Sequence, residues 1–398
     1  MFDLFTILEM NSTMKATTTE SLSQMKWLNQ IKSFNSVEDI RKWLAERYPE
    51  FTPERLTRLV IVGAADEGVR LADICAKEGI RVEAHVDDHP QKQGITVGSQ
   101  TIQPLNFLTE VDPEIPVVIA SHRVLKVMER VWAMGFQHVA PFGLLEVLSS
   151  KLFPPHMFYV GLLEDLIDNC DRYIELMERV ADEMSQLVLD AVLGYRLTFD
   201  PRILAPIVEW DLYGAKNLIQ YEQDEVYVDG GAFDGDSIRL FLDRVEGKFS
   251  RVLAFEPDQE TFQRLAKNFV DDPKIEAINA GLHRRKGVLR FDNAGTRGSI
   301  FTESGEFEIP VVGLDEILGS DRVTFIKMNI EGAELEALRG GKQAIQNWGP
   351  KLGISLYHNP ADLWTLPQEI GALRSDYKFY IRQHDGGIIE TVLYALPG

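Results

Sequence analysis

The sequence predicts an α/β protein. Its C-terminal part reads as a doubly wound, mostly parallel sheet with a terminal antiparallel hairpin, and a smaller Rossmann-like α/β domain precedes it. Three observations predict this. Short apolar strands alternate with amphipathic helices in two separate series. A glycine turn follows the first strand of each series. The last two strand-like stretches flank Asp385-Gly386-Gly387, a hairpin turn signal. At 398 residues the chain exceeds one typical compact core, so more than one domain is expected.

Residues 1–52 read as a helical and mobile segment. It holds a Ser/Thr-rich stretch, Asn11 to Ser23, and then a helical run with Ile31, Val37, Ile40, Trp43 and Leu44. Residues 53–150 carry the smaller α/β domain, with strands at Leu59–Val62, Arg81–Val86, Pro116–Ala120 and Gln137–Ala140. Helices are expected from about Asp66 to Lys77 and over Val124–Met134. Residues 151–222 read as a helical connector: from about 157 there is no good strand, and Leu162, Leu166, Tyr173, Leu176, Val180, Met184 and Leu187 recur at helical spacing. Residues 223–398 form the larger domain, with strands at Glu225–Asp229, Arg251–Phe255, Ile275–Ala280, Val323–Met328 and Leu352–Tyr357. Ile238, Phe241, Leu242 and Val245 mark the apolar face of one intervening helix. Tyr377–Arg382 and Ile388–Tyr394 are the hairpin strands.

Composition narrows the partners. A net charge of -20 argues against a nucleic acid, whose binders need a basic face. His283-Arg284-Arg285-Lys286 is the one dense basic run and reads as a solvated turn. Two cysteines, Cys75 and Cys170, make neither a disulfide framework nor a zinc site by themselves. The opening MFDLFTILEM carries Asp3 and Glu9 without a basic n-region, unlike a signal peptide. No window approaches the roughly 20 apolar residues of a membrane span. The expectation is a soluble, cytoplasmic protein.

The segment from Val226 to Ser237 is a strand, a glycine turn and a helix start, and such turns seat ligands at the carboxyl edge of a sheet. Its glycines, Gly230, Gly231 and Gly235, break the G-x-G-x-x-G spacing of dinucleotide loops. Asp229, Asp234 and Asp236 surround the place a diphosphate would occupy, where like charges repel. Carboxylates there suit a cationic ligand without phosphate, such as S-adenosylmethionine. Asp229 is the candidate for the ligand's amino-acid end, while Asp236 reads equally as a helix cap. About 25 residues on, Phe255-Glu256-Pro257-Asp258 ends the next strand. Glu256 is placed to accept both ribose hydroxyls, and Asp258 to cap the following helix. Asn279, Ala280 and Gly281, at the end of the third strand, would border an adenine ring.

These stretches resemble the FkbM family of methyltransferases over residues 205–398. The resemblance rests on Tyr227–Asp236, Ala254–Asp258, Val312–Ile317 and Ser355–His358 with Pro360, Asp362, Leu363 and Trp364. Its most specific part is the Lys-x-x-x-Glu-Gly-Ala-Glu run, Lys327 to Glu334. The resemblance implies a class I methyltransferase fold, S-adenosylmethionine as donor, and oxygen methylation of a sugar, glycan or secondary-metabolite hydroxyl. The family usually has an aspartate where this chain has Asn329; an amide can hold a ligand or metal but cannot act as a base. Base candidates are therefore His358, Glu331, Glu334 and Asp315. Glu331 and Glu334 also read as helix-dipole partners, and His358 as a loop hydrogen-bonder. A divalent metal is compatible with this chemistry, although no carboxylate cluster of settled spacing is visible. Phe233 completes the candidate donor loop.

In the smaller domain, Gly63-Ala64-Ala65-Asp66-Glu67-Gly68 resembles a dinucleotide loop with its second glycine replaced by Ala65. Asp87-Asp88 ends the next strand, about where an acid would meet a ribose. The domain is similar to nucleotide-binding domains attached to some sugar-modifying acyltransferases and dehydratases, which implies a nucleotide or nucleotide-sugar. A degenerate packing domain is the other reading, since Asp66 and Glu67 oppose a pyrophosphate. A non-catalytic module that binds S-adenosylmethionine or a nucleotide stands as the alternative for the whole chain, and an oxidoreductase using the first loop as a further rival.

Overall fold

The computed structural model describes residues 25–215, 218–291 and 307–398. The stretch Asn11–Ser23 read above as mobile lies outside them. The chain divides into two compact units. The first comprises the described residues up to Glu178, with Gln186–Val208 and Asp385–Ile389. The second comprises Arg179–Ser185, Glu209–His384 and Glu390–Gly398.

The first unit starts with α1 (Lys26–Lys32) and α2 (Val37–Arg47), the latter capped by Ser36, whose side chain accepts from the Asp39 N–H. Then follow β1 (Arg58–Val62), α3 (Asp66–Glu78), β2 (Arg81–Val86), a small pair β3 (Thr96–Val97) and β4 (Gln100–Thr101), and β5 (Val117–Ile119). The series continues with α4 (Leu125–Ala133), β6 (Val139–Pro141), α5 (Phe142–Leu148), α6 (Leu162–Asp168) and α7 (Cys170–Arg179). Helix α8 (Glu183–Thr198) places all but its first turn in this unit. The sheet runs in the order β2-β1-β5-β6, all parallel. Its β1 and β5 strands are buried runs of Val, Ile and Leu, as a sheet covered on both faces requires. Helix α3 turns Leu71, Ala72 and Cys75 inward and ends at Gly79 in the left-handed conformation. Burial pushes the Cys75 thiol up to about 12, which makes it an inert core group.

The second unit contains β7 (Glu225–Gly230), α9 (Asp236–Val245), β8 (Phe249–Phe255), α10 (Gln259–Asn268) and β9 (Ile275–Ile278). β10 (Gly281–His283), β11 (Gly287–Phe291), β12 (Phe307–Gly313) and α11 (Leu314–Leu318) come next. Then follow β13 (Phe325–Met328), α12 (Glu334–Gly340), α13 (Lys342–Trp348), β14 (Lys351–Ser355), α14 (Asp362–Leu373), β15 (Tyr377–Gln383) and β16 (Thr391–Pro397). The seven-stranded sheet has the order β15-β16-β14-β13-β7-β8-β9. β16 runs antiparallel to both β14 and β15, and the remaining pairs are parallel. This is the doubly wound sheet with a terminal hairpin that the sequence predicts.

Two features depart from the sequence reading. A second sheet, β10-β12-β11, stands beside the main one. Pro310 inside β12 lacks the N–H that a central strand needs, and it faces Val288 of β11 in an antiparallel pair. The hairpin also starts its second strand at Thr391 rather than Ile388. Gly386 and Gly387 belong to the longer connection between the strands and serve a close approach: the Leu125 N–H donates to Gly386 O at 3.1 Å. A Cβ on Gly387 would lie 1.9 Å from the His122 carbonyl oxygen.

An aromatic cluster locks α9 onto the main sheet. The Tyr227 and Phe241 rings stack at 4.4 Å between centroids, and Phe325 and Phe249 pack beside them. All four are buried together with Ile238, Val245 and Val252. Phe241→Ala should therefore cost about 3–5 kcal/mol. Urea denaturation followed through the transition of this unit measures it, and a loss below about 1 kcal/mol would contradict the packing account.

Candidate active site

The main sheet of the second unit delivers its candidate residues to one edge. Strands β7, β8, β9, β13 and β14 all run parallel, so the residues that follow them share the carboxyl edge, where such folds hold ligands.

Asp229 is fully buried at the end of β7. The Lys327 ammonium, on neighbouring β13, donates to Asp229 Oδ1 at 2.8 Å, to Gly231 O at 2.8 Å and to Gly230 O at 3.1 Å. The Ser237 hydroxyl donates to Asp229 Oδ2 at 2.5 Å. One buried lysine therefore neutralises the strand-end carboxylate and gathers the carbonyls of the glycine turn. Asp229 thus acts on the loop through Lys327 and Ser237. Gly231, at φ +73°, lies against the backbone beyond β13, where a Cβ would sit 2.0 Å from Asn329 O. Asp234 pairs with Arg239 at 3.1 Å. Asp236 lies in the first turn of α9 and is exposed; its Oδ1 accepts from the Ser237 N–H at 2.8 Å. The electrostatic case against a diphosphate is thus weaker than the bare sequence suggests, because two of the three carboxylates carry cationic partners.

Glu256 ends β8 and grips the loop from the other side. Its Oε2 accepts from the Phe233 N–H and its Oε1 from the Asp258 N–H, each at 2.9 Å. Each oxygen keeps further lone pairs for a diol. Burial raises this carboxyl above its ordinary value, against the two N–H donors. Phe233, half exposed at φ +50°, is held in that conformation by the bond. Asn279 donates to the Glu256 and Pro257 carbonyls at 3.0 and 3.1 Å, tying the end of β9 to the end of β8 beside Ala280 and Gly281. Asp258 caps α10 by accepting from the Thr261 N–H at 2.8 Å.

The ends of β13 and β14 bring the remaining candidates together. Tyr357 donates its hydroxyl to Asn329 Oδ1 at 3.1 Å. His358 Nδ1 lies 2.8 Å from Glu334 Oε1, and its Nε2 lies 3.9 Å from Glu331 Oε2. Glu334 is wholly buried and also accepts from the Ile330 N–H at 2.8 Å. Burial opposes charge on this pair, yet Glu334, followed by Glu331 and Asp362, raises the imidazole to about 9. Burial likewise opposes the Glu334 carboxylate, and His358 holds it below its ordinary value. His358 is therefore a cation at neutral pH and lacks the lone pair a base needs. Burial, with Glu334 second, pushes neighbouring Asp362 up to about 7. Glu331 is about half exposed, at φ +55°. Asp315 stands apart: its oxygens accept from the Gln343 and Ala344 N–H groups at 2.8 and 2.9 Å, capping α13. Sequence reasoning missed Tyr357 as the partner of Asn329. Its position directly before His358 was the available signal.

A family model described as the methyltransferase FkbM domain matches residues 229–380. The hexuronic acid methyltransferase AglP of Haloferax volcanii is 30% identical over 173 residues, which cover 39% of this chain and 69% of that protein. The crystal structure of methyltransferase FkbM from Methylobacillus flagellatus KT superposes with a TM-score of 0.68 at 26% identity, covering 98% of this chain and 99% of its own.

Two outcomes follow from the buried pairs. Lys327→Met leaves Asp229 buried without its cation and should cost about 3–5 kcal/mol in denaturant unfolding; a loss under about 1 kcal/mol would refute the pairing. Folding raises His358 above its ordinary value, so its stabilisation is complete below about pH 6.5 and is lost as pH rises through about 9. Thermal unfolding midpoints of wild type should fall towards those of His358→Gln across that window, and parallel curves would contradict it. The chain belongs to the FkbM family of S-adenosylmethionine-dependent methyltransferases.

Proposed function

We propose that this chain methylates an oxygen of a sugar, glycan or secondary-metabolite hydroxyl, with Glu331 as the base. The observation that carries the proposal is the arrangement at the end of β13. Glu334 and Glu331 flank a protonated His358, and of these groups Glu331 alone is a carboxylate open to solvent. The relative named as a hexuronic acid methyltransferase supports a sugar acceptor. A cytoplasmic location is part of the same reading, and no helix among the described residues is long and apolar enough to cross a membrane.

The residues of the donor edge support this reading. Glu256 would accept from both ribose hydroxyls, with Phe233 and Pro257 beside it. Asn279, Ala280 and Gly281 would border the adenine. Gly230, Gly231 and Gly235 let the loop pack closely on Leu282, the Asn329 carbonyl and Phe269, and Asp229 and Lys327 hold that loop from beneath. Asp234 and Asp236 contribute negative charge at its rim. When bound, S-adenosylmethionine supplies an electrophilic methyl group on a sulfonium. The chain's own residues then align and deprotonate the acceptor. Asn329, with its Oδ1 engaged by Tyr357, offers its amide N–H groups to an acceptor oxygen. Glu331 takes the hydroxyl proton, and His358, fixed by Glu334, keeps that carboxylate ionised and oriented. A metal could draw on Glu331 and the second lone pair of Asn329 Oδ1 as oxygen donors, and the proton transfer does not depend on it.

Asn329, in place of an acid, favours a second reading: a module that binds the donor without turnover. Glu331→Gln separates the two. The variant should keep wild-type donor affinity while kcat falls by about 10²–10⁴-fold in a glycan or metabolite methylation assay read by mass spectrometry. Unchanged kcat would remove Glu331 from the mechanism, and wild type that binds the donor but methylates no acceptor would favour the binding module.

A further inference from the structure

The two units hold their glycine loops by the same device. In the first unit the Ala64 N–H donates to Asp87 Oδ2 at 2.6 Å; in the second the Phe233 N–H donates to Glu256 Oε2 at 2.9 Å, and both pairs are 23 residues apart. The other carboxylate oxygen is engaged two residues further on in each case. His89 N–H donates to Asp87 Oδ1 at 2.7 Å, and Asp258 N–H to Glu256 Oε1 at 2.9 Å. Each loop contains a positive-φ glycine pressed against the carbonyl just past the adjacent strand. A Cβ on Gly63 would lie 2.6 Å from Ala120 O, as one on Gly231 would lie 2.0 Å from Asn329 O. Strand order matches as well: β2-β1-β5-β6 corresponds to β8-β7-β13-β14, so both sheets reverse direction of growth at the loop. The loop sequences themselves, Gly63-Ala64-Ala65-Asp66-Glu67-Gly68 and Gly230-Gly231-Ala232-Phe233-Asp234-Gly235, have little in common.

Two further observations bear on what the first loop would hold. Glu67, whose charge counted against a phosphate in the bare sequence, is neutralised. Its Oε1 lies 3.0 Å from His156 Nδ1 and its Oε2 lies 3.3 Å from Arg70, which also contacts buried Glu146. These three acid and imidazole groups bring their ligand atoms within 4.8 Å of one another, but the Arg70 guanidinium already takes the place of a cation there. Beneath the loop, His85 is fully buried with Nε2 2.8 Å from Gly63 O, and its Nδ1 has no hydrogen-bond partner among the described residues. A buried ring nitrogen left unpaired beneath a loop calls for an explanation, and a ligand seated on the loop would supply one.

We propose that the first unit binds a ribonucleotide, with the remaining lone pairs of Asp87, whose Oδ2 also lies 3.6 Å from Lys92 Nζ, accepting from the 2′ and 3′ hydroxyls. The ligand class rests on the reading of Glu256 as the ribose acceptor in the second unit. The full chain is titrated calorimetrically with ADP, UDP and UDP-glucose, each also as its 2′,3′-dideoxy counterpart, and separately with S-adenosylmethionine. At least one ribonucleotide should bind, and its dideoxy form should bind at least tenfold more weakly. Asp87→Asn should weaken the same ribonucleotide at least tenfold without changing S-adenosylmethionine affinity, while Glu256→Ala should do the reverse. Tighter binding of UDP-glucose than of UDP assigns the site to a nucleotide-sugar, and equal binding assigns it to the nucleotide; both support the proposal. Absence of ribonucleotide binding, or binding indifferent to removal of the diol, overturns it. The dideoxy comparison is made on wild type, so it decides even if Asp87→Asn loosens the fold. Ribonucleotide binding that persists while S-adenosylmethionine fails to bind would strike the donor reading alone.

Discussion

The candidate active site depends on one buried ion pair. Lys327 and Asp229 lie on adjacent strands of the main sheet, and both are out of solvent. A lone charge at either position would be strongly destabilising, whereas the pair with its extra hydrogen bonds is tolerable. Lys327 spends its three donors on one carboxylate oxygen and two carbonyls of the turn. The glycine loop is therefore fixed before any ligand arrives. That fixed loop brings the Phe233 N–H within reach of Glu256, which closes the loop from the far side. Preorganisation of this kind keeps loop ordering from reducing donor affinity.

A second buried pair, His358 and Glu334, lies beyond the ends of β13 and β14. His358 and Glu334 sustain each other's charge where burial alone would neutralise both. The consequence is chemical as well as structural, since a histidine held protonated cannot serve as the base at neutral pH. In the proposed mechanism the division of labour is then positional: Glu334 anchors, His358 orients, and Glu331 is left open. Asn329 fits this arrangement as a hydrogen-bonding amide held by Tyr357 rather than as a proton acceptor.

Much of the fold was legible in the sequence, because runs such as Leu59–Val62 and Phe325–Met328 combine β-branched and apolar residues with a glycine turn or a helix start after them. The β10-β12-β11 sheet was not, since Pro310 breaks the strand pattern and the pairing partners are distant in sequence. Gly386 and Gly387 carried a turn signal, yet the structure uses them for close backbone approach. At the site, the acidic residues could be named but their partners could not. That Asp229 faces Lys327, that Asp315 caps a helix and that His358 is protonated all depend on groups brought together from elements distant in sequence. Composition gives no access to such pairings.

The central claim is that the edge of the second unit is an assembled donor site in which Glu256 holds the ribose. Isothermal calorimetry of S-adenosylmethionine binding to wild type and to Glu256→Ala tests it most directly. The account predicts micromolar affinity for the wild type and a loss of at least about 100-fold in the variant, on the order of the 2.7 kcal/mol expected for charge-assisted bonds to a diol. Equal affinities, or no binding to a well-folded wild type, would contradict it.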